Sequence, residues 1–279
     1  MLNFQNKPII AMLHLKGNSS DEVFDRMRRE ASIYYGAGVD AVMVENYFGS
    51  VSDCERALRY LSEQYPDRVY GVDILGDWRK SFALAREYGA SFVQIDSVCG
   101  HLEPIADAEF QAELLKASEG RHFQILGGLR FKYQPVRSGR TLAVDAAIAK
   151  LRCDAVVTTG DGTGMDSPLE KLATVKANLH GFPLIVGAGV TAENVAEKLR
   201  YADGAIIGTY MKDDHTAYGD VNEHYVKKLM KAVKAAREGD TFEGATLELL
   251  KVQQHVKTMT TADLVLLRHA VEEELERRV

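Results

Sequence analysis

Two segments, PLIVGAGV (residues 183–190) and DGAIIGT (residues 203–209), decide the fold. Each is a short apolar run that ends in glycine, which is typical of a buried parallel strand that enters a tight turn. Glycine has no side chain, so backbone N–H groups at such turns can approach an anion closely. We therefore predict that the two turns lie side by side and bind a phosphate group. The predicted phosphate-binding residues are Thr163, Gly187, Gly189, Val190, Gly208 and Thr209.

Similar apolar runs recur along the chain and alternate with segments of helical periodicity. Near-continuous apolar runs of this length are typical of parallel strands that are covered on both faces. The alternation predicts an α/β protein with a (β/α)8 TIM barrel, and an open doubly wound sheet is the alternative. The eight predicted strands fall within residues 8–15, 40–46, 69–75, 92–98, 122–129, 154–160, 183–190 and 203–209.

Two helix starts are marked by capping sequences. Ser52 and Glu55 have the spacing of a capping box, in which each side chain accepts a hydrogen bond from the other residue's backbone. Ser167, Pro168 and Glu170 have the order of an N-cap, a proline at the first helical position and an acid at the third. We predict that helices begin directly after Ser52 and Ser167.

The alternation ends near residue 239, and residues 240–279 contain two further helical patterns. The second pattern has an apolar stripe opposite a charged face. We predict a barrel domain over residues 1–239 and a C-terminal helical extension over residues 240–279. The extension either packs on the barrel of its own chain or forms a homo-oligomer contact with a second subunit, and the sequence leaves both open.

Composition limits the class of protein. The chain has 279 residues, of which 46% are apolar, so it can bury a large core. Its formal net charge is -6 and it lacks a basic block, which argues against a nucleic-acid partner. The three cysteines lack metal-type spacing and fit a reducing compartment. Without an apolar run of about 18 residues no membrane span is predicted, and we expect a cytoplasmic protein.

Polar side chains follow the predicted strands at the point where each strand ends. In a (β/α)8 barrel these ends meet at one face, which carries the active site. Histidine titrates near neutral pH and suits proton transfer, and a lysine can neutralise an anionic substrate or form a Schiff base. The predicted catalytic residues are His14, Glu45, Asp73, Asp96, Lys132 and Asp161.

Three of these residues, Glu45, Asp73 and Asp96, are carboxylic acids on neighbouring predicted strands. Carboxylates brought together raise one another's pKa, so at least one is a candidate general acid or base. A divalent cation is the other solution, and oxygen ligands favour Mg²⁺ or Mn²⁺ over zinc. A structural ion pair with Arg130 or Lys132 is a further alternative for any single acid. No cofactor is firmly implied, and Mg²⁺ is left open.

The loop after the sixth predicted strand contains Asp161 and Thr163, each followed by glycine. Its small residues and hydrogen-bond donors suit a loop that closes over a ligand. A plain turn before the next helix is the alternative.

Five motifs carry a family resemblance: IAMLHL (residues 10–15), GVDAVMVEN (38–46), DAVVTTG (154–160), GAGV (187–190) and DGAIIGT (203–209). They resemble the BtpA/SgcQ family, whose members are similar to the ribulose-phosphate-binding barrels. The resemblance covers roughly residues 8–235 and implies a (β/α)8 barrel. One branch of the family is associated with photosystem I biogenesis and another with a sugar phosphotransferase operon, which implies either an assembly factor or a sugar-phosphate enzyme. The turn at Gly187 also resembles that of phosphoribosylanthranilate isomerase, which supports phosphate binding by analogy.

The chain departs from the family pattern at four positions near the predicted site. Asp73 and Asp96 stand where the resemblance implies asparagines, and Gln94 stands where it implies an arginine. Gly128 stands where an aspartate is expected. The chain is therefore identified as a divergent member of the family.

Residues and resemblance together support three hypotheses about function. The leading one is an isomerase, epimerase or lyase that acts on a phosphorylated, sugar-like small molecule anchored by its phosphate. The second is a non-catalytic assembly or regulatory factor that resembles a photosystem biogenesis protein. The third is a metal-dependent nucleotide phosphohydrolase, which needs Mg²⁺ and a carboxylate that activates water.

Overall fold

Residues 1–239 are described in the computed structural model, and within them eight parallel strands close into a barrel. The strands follow chain order, and the last pairs with the first. The predicted (β/α)8 barrel is therefore confirmed, and the pairing of the first and last strands excludes an open sheet. The strands are β1 (Ile9–Leu13), β2 (Ala41–Glu45), β3 (Val69–Asp73), β4 (Phe92–Cys99), β5 (Gln124–Leu129), β6 (Ala155–Thr159), β7 (Leu184–Gly187) and β8 (Ala205–Ile207).

Helices alternate with the strands, as the sequence periodicity predicts. The last helical stretch within the described part of the chain covers residues 223–239 and follows a short 3-10 turn at Thr209–Met211. The predicted extension over residues 240–279 lies outside the described residues. The helices between strands are α1 (Ser20–Gly36), α2 (Val51–Gln64), α3 (Trp78–Tyr88), α4 (Pro104–Ala117), α5 (Leu142–Ala149), α6 (Leu169–Leu179) and α7 (Val195–Lys198).

Both predicted helix starts need correction. The capping box of α2 is formed by Ser50 and Asp53, two residues before the predicted pair, because the shorter carboxylate of Asp53 accepts from both the backbone and the hydroxyl of Ser50. At α6 the N-cap is Pro168, which makes no side-chain cap. Its extended backbone delays the helix to Leu169, so Ser167 lies one residue too early to cap it.

Apolar side chains from the strands fill the barrel interior. Met12, Val157 and Ile206 belong to this buried core and also line the space above it, at the carboxyl ends of the strands. The polar residues at the strand ends therefore lie over a packed floor, as expected for an eight-stranded barrel. Among residues 1–239, no helix combines the length and the apolar character needed to cross a membrane.

Candidate active site

A cavity lies at the carboxyl ends of the strands, and we call it the strand-end cavity. It encloses about 490 Å³, including space that is open to solvent. Its walls come from the ends of β1, β2, β4, β5, β6, β7 and β8 and the loops that follow them. The predicted site residues that it brings together are His14, Glu45, Lys132, Thr163, Gly187, Gly208 and Thr209.

The other predicted site residues lie outside its walls. Asp73 and Asp96 line an adjacent cleft. Asp161 is exposed on the loop after β6, and Val190 is buried beyond the end of β7. Neither these two residues nor Gly189 line the strand-end cavity.

His14 and Glu45 face each other at the ends of β1 and β2. Both side chains are buried, and His14 Nε2 lies 3.6 Å from Glu45 Oε2. The other ring nitrogen, Nδ1, lies 3.0 Å from the carbonyl oxygen of Ala217. Because a carbonyl can only accept a hydrogen bond, Nδ1 carries the proton, and in the neutral ring Nε2 is an acceptor that faces Glu45.

Burial sets the protonation of this pair. It lowers the pKa of His14 to about 3, and the ammonium group of Lys212 acts in the same direction. It raises the pKa of Glu45 to about 8; Asp96 adds to the rise and Lys132 opposes it. At neutral pH the pair therefore holds a proton on Glu45 and none on His14 Nε2. A carboxylic acid with a pKa near neutrality is suited to general acid and base catalysis.

A second group of acids adjoins Glu45. Register pairing places Asp73 of β3 directly beside Glu45 of β2. Gln94 Nε2 donates hydrogen bonds to Asp73 Oδ2 at 2.6 Å and to Asp96 Oδ1 at 3.2 Å. Burial raises the pKa of both acids, and the neighbouring Asp96 raises that of Asp73 further. The amide group of Gln94 therefore joins Asp73 to Asp96, and the raised pKa of each acid favours its protonated form.

Gln94 is a site residue that the sequence indicated only as a departure from the family pattern. It lines both the strand-end cavity and the adjacent cleft, so it forms part of the boundary between them. Its position two residues before Asp96 was the available signal, because residues two apart in a strand share a face.

A bulge in β4 determines the position of Asp96. The pairing of β4 with β5 shifts register between Ile95 and Cys99. Gly128 of β5 makes room for the bulge, because a Cβ atom at this position would lie 1.9 Å from the Asp96 carbonyl oxygen. Bulges commonly re-aim side chains beside active sites. The glycine that replaces the aspartate implied by the family pattern therefore has a steric cause.

Loop six, residues 160–168, lies over Lys132. Thr163 Oγ1 accepts a hydrogen bond from Lys132 Nζ at 3.1 Å and lies 3.2 Å from the hydroxyl oxygen of Tyr47. The backbone N–H of Thr163 donates to the hydroxyl of Tyr133 at 2.8 Å. Of the two alternatives for this loop, the geometry favours closure over the cavity. Tyr47 also lines the cavity and was not predicted.

The turns after β7 and β8 form a further wall of the strand-end cavity, which we call the glycine wall. It comprises Gly187, Ala188, Gly208 and Thr209. A Cβ atom at Gly208 would lie 2.9 Å from His14 Cε1, so this glycine lets the imidazole approach the wall. Ala188, which was not predicted, has a φ of 64°. Left-handed backbone is costly for alanine and clusters at functional sites.

Gly189 has a packing role next to this wall. A Cβ atom there would lie 2.4 Å from Asp166 Cα, so the glycine lets loop six pack on the turn. Asn194 holds the turn, because its amide nitrogen donates to the Gly189 carbonyl at 2.9 Å and its oxygen accepts from Thr191 N at 2.8 Å. The turn is therefore fixed by its own contacts with loop six and α7.

Within residues 1–239, no group of three or more His, Cys, Asp or Glu side chains is arranged to hold a metal ion. The Mg²⁺ site that the sequence left open stays open, because Mg²⁺ commonly uses one or two carboxylates together with substrate phosphates.

The fold and the site define a (β/α)8 barrel with a buried acid–base pair at the carboxyl ends of its strands. A sequence model of the BtpA family matches residues 5–235, and the chain belongs to that family. An uncharacterized protein of Pyrococcus horikoshii is 29% identical over 85% of this chain and 100% of its own length. The photosystem I biogenesis protein BtpA of Synechocystis is 24% identical over 78% of this chain and 83% of its own. The resemblance in the sequence motifs is thereby confirmed.

Solved structures share the fold at low identity. Thiamine phosphate pyrophosphorylase from Pyrococcus furiosus has a TM-score of 0.55 and 17% identity, over 84% of this chain and 98% of that one. Phosphoribosyl anthranilate isomerase from Thermus thermophilus has a TM-score of 0.54 and 14% identity, over 82% and 98%. At this identity the likeness establishes the barrel and leaves the reaction open.

Proposed function

We propose that this protein is an enzyme that anchors a phosphorylated, sugar-like small molecule by its phosphate and moves a proton beside its carbonyl group, as an isomerase, epimerase or lyase does. One observation carries the proposal. A single cavity is lined by His14, Glu45 and Lys132 and by the glycine wall. A ligand whose phosphate lies against the glycine wall extends toward the acid–base pair.

Each of the three side chains has a role that follows from its surroundings. Glu45 exchanges the proton, because its pKa of about 8 lets it give and take a proton near neutral pH. His14 is held by the Ala217 carbonyl and positions the carboxyl group of Glu45. Lys132 supplies positive charge for the oxygen that becomes negative when the neighbouring carbon loses its proton.

The comparisons support the phosphate part of the proposal by analogy. Two solved barrels of similar fold carry names that refer to phosphorylated compounds, thiamine phosphate and phosphoribosyl anthranilate. In barrels of this kind the phosphate commonly lies at the loops after the seventh and eighth strands, which is where the glycine wall lies here.

Matched ligand pairs test the proposal. Ribose 5-phosphate, fructose 6-phosphate and inorganic phosphate should raise the melting temperature, whereas ribose and fructose should not, because only a ligand held by the native state stabilises it. The T209V substitution in the glycine wall should weaken the shift, and T174V on the exposed surface of α6 is its control. Stabilisation by neither phosphate nor the sugar phosphates would overturn the proposal.

The name of the Synechocystis relative favours a second candidate, a non-catalytic assembly factor. The two candidates differ in their need for Glu45. If this chain restores photosystem I in Synechocystis cells that lack BtpA, the E45Q variant should restore it equally under the assembly hypothesis. Restoration by the wild type alone would favour the enzyme.

A further inference from the structure

A second cleft lies beside the strand-end cavity, between the ends of β3 and β4 and the helices α3 and α4. It encloses about 1080 Å³, including space that is open to solvent. Trp78 of α3 and Phe110 of α4 line it, and their ring centroids are 6.0 Å apart in an edge-to-face arrangement. Gln94 lines both spaces, so the second cleft adjoins the place where the proposed chemistry occurs.

The second cleft is acidic. Arg79 and Glu113 form an ion pair with each other, and burial lowers the pKa of His101, which keeps its imidazole neutral at pH 7. Glu109 forms no ion pair within the described residues. Asp73 and Asp96 have raised pKa values, so the negative groups at the walls are Asp77, Glu109 and Glu113, and they outnumber the cation of Arg79. The ionisable residues that line the cleft are Asp73, Asp77, Arg79, Asp96, His101, Glu109 and Glu113.

Two polar atoms of the lining residues have no hydrogen-bond partner among residues 1–239. They are Ser97 Oγ and His101 Nδ1; both atoms are buried, and Ser97 is only 6% exposed. A buried polar atom without a partner costs free energy and commonly marks the place of a water or a ligand. Ser97 directly follows Asp96 in the bulge of β4, so both residues belong to the part of the cleft nearest Gln94.

The ring of Trp78 in the second cleft already contacts a cation. The guanidinium carbon of Arg79 lies 4.6 Å from the centroid of the Trp78 ring. Tryptophan attracts cations more strongly than the other aromatic side chains. A ligand that combines a flat ring with a positive charge therefore matches both the aromatic walls and the carboxylates of the second cleft.

We infer that the second cleft binds the end of the substrate remote from the phosphate, and that this end is a flat, unsaturated group bearing an amine or amidine. The inference rests on the proposed function, because it extends the same ligand past Gln94. The phosphate lies against the glycine wall, the carbonyl lies near Glu45 and Lys132, and the nitrogen group donates to carboxylates beyond Gln94. The substrate class is a phosphorylated molecule with a nitrogen-bearing unsaturated ring.

Trp78 provides the test, because it is the only tryptophan of the chain. Its fluorescence reports on the second cleft alone. Benzamidine should change this fluorescence in a saturable way, and benzoate, which has the same ring and the opposite charge, should bind at least about tenfold more weakly. Fluorescence equally sensitive to both probes, or to neither, would overturn the inference.

Substitutions test whether the fluorescence response to benzamidine arises from binding in the second cleft. E109Q should weaken benzamidine binding by about twofold to fivefold, as expected for one exposed carboxylate. E119Q, which removes an exposed carboxylate outside the cleft, should leave it unchanged. F110L should also weaken binding through loss of aromatic contact. Equal affinities in E109Q and E119Q, together with no effect of F110L, would contradict the assignment to this cleft.

Calorimetry with inorganic phosphate separates this inference from the proposed function. Phosphate binding without a fluorescence response to benzamidine would overturn the inference and leave the proposed function standing. A benzamidine response without phosphate binding would contradict the proposed function and leave a cation-binding cleft.

Discussion

The glycine wall differs in construction from a cluster between the strand-end cavity and the second cleft, which comprises Glu45, Asp73, Gln94 and Asp96 and which we call the acidic wall. In the glycine wall, missing side chains let His14 approach the end of β8, and no residue of this wall titrates. In the acidic wall, burial raises the pKa of the carboxyl groups, Asp96 raises that of Glu45 and Asp73 further, and the amide of Gln94 joins Asp73 to Asp96. The glycine wall offers a ligand open space and backbone groups, whereas the carboxyl groups of the acidic wall hold protons. Substitutions in the two walls should therefore fail in different ways.

The largest expected effect concerns the protons of the acidic wall. E45Q keeps the shape of the side chain and removes its proton exchange, so turnover should fall by about 100- to 10,000-fold. Nuclear magnetic resonance in deuterated water measures this as loss of the C–H signal beside the carbonyl of a stabilising sugar phosphate. E63Q, at an exposed position of α2, should exchange at the wild-type rate. Exchange at that rate by E45Q would remove Glu45 from the mechanism.

The next effect compares two glycines that adjoin the walls, Gly128 beside the backbone of Asp96 and Gly189 beside the turn after β7. G128A introduces a Cβ atom 1.9 Å from a carbonyl oxygen, and G189A places one 2.4 Å from a backbone carbon at a residue with a φ of 67°. We expect losses in the free energy of unfolding of about 3 kcal/mol for G128A and about 1–3 kcal/mol for G189A. Urea denaturation measures both.

Gly36 is the control for these two substitutions. It lies in α1, and a Cβ atom added there would have no neighbouring atom within 4 Å. G36A should therefore be neutral or raise the free energy of unfolding by about 0.5 kcal/mol. If G128A were as stable as G36A, the bulge in β4 would not depend on Gly128.

A smaller effect is the pH dependence of stability. The pKa of Glu45 is raised from 4.5 to about 8, so the folded state binds this proton more tightly and loses stability as pH rises through that range. His14 acts in the opposite direction, but only below pH 6.5, because its pKa is lowered from 6.5 to about 3. Between pH 6.5 and 8, Glu45 should therefore lower the free energy of unfolding by about 1–2 kcal/mol.

Urea denaturation at several pH values measures this slope. E45Q should reduce this slope between pH 6.5 and 8 and leave what the raised pKa of Asp73 contributes in the same direction, whereas E63Q should retain the wild-type slope. The same slope in wild type and E45Q would show that Glu45 does not hold the proton.

The smallest effect concerns loop six, which lies over Lys132 and packs on the turn after β7. T163V removes the hydroxyl that contacts Lys132 and Tyr47. Global stability should change by less than about 1.5 kcal/mol, and backbone amides of residues 160–168 should exchange with deuterium faster. T163S keeps the hydroxyl and should exchange as the wild type does. Equal protection in T163V and T163S would show that this hydroxyl does not hold the loop.

Much of the fold could be predicted from local sequence. All eight strands lie within or overlap the predicted runs, because apolar strands and glycine turns depend on neighbouring residues. Helix starts were less accurate, since Asp53 serves as well as the expected Glu55 in a capping box. At the site, His14, Glu45 and Lys132 share one cavity because strand ends converge, whereas Asp161 is exposed because a loop's path depends on distant contacts.

By itself, the sequence determined a (β/α)8 barrel whose strands end in polar residues and glycine turns, because strand periodicity and turn chemistry are local properties. Only the tertiary structure decided that Glu45 keeps its proton, that Gln94 joins two acids, and that Gly189 packs against loop six. Burial and pairing at these positions arise from residues far apart in the chain. They decide how the site works, because a low-dielectric environment sets the pKa of each acid.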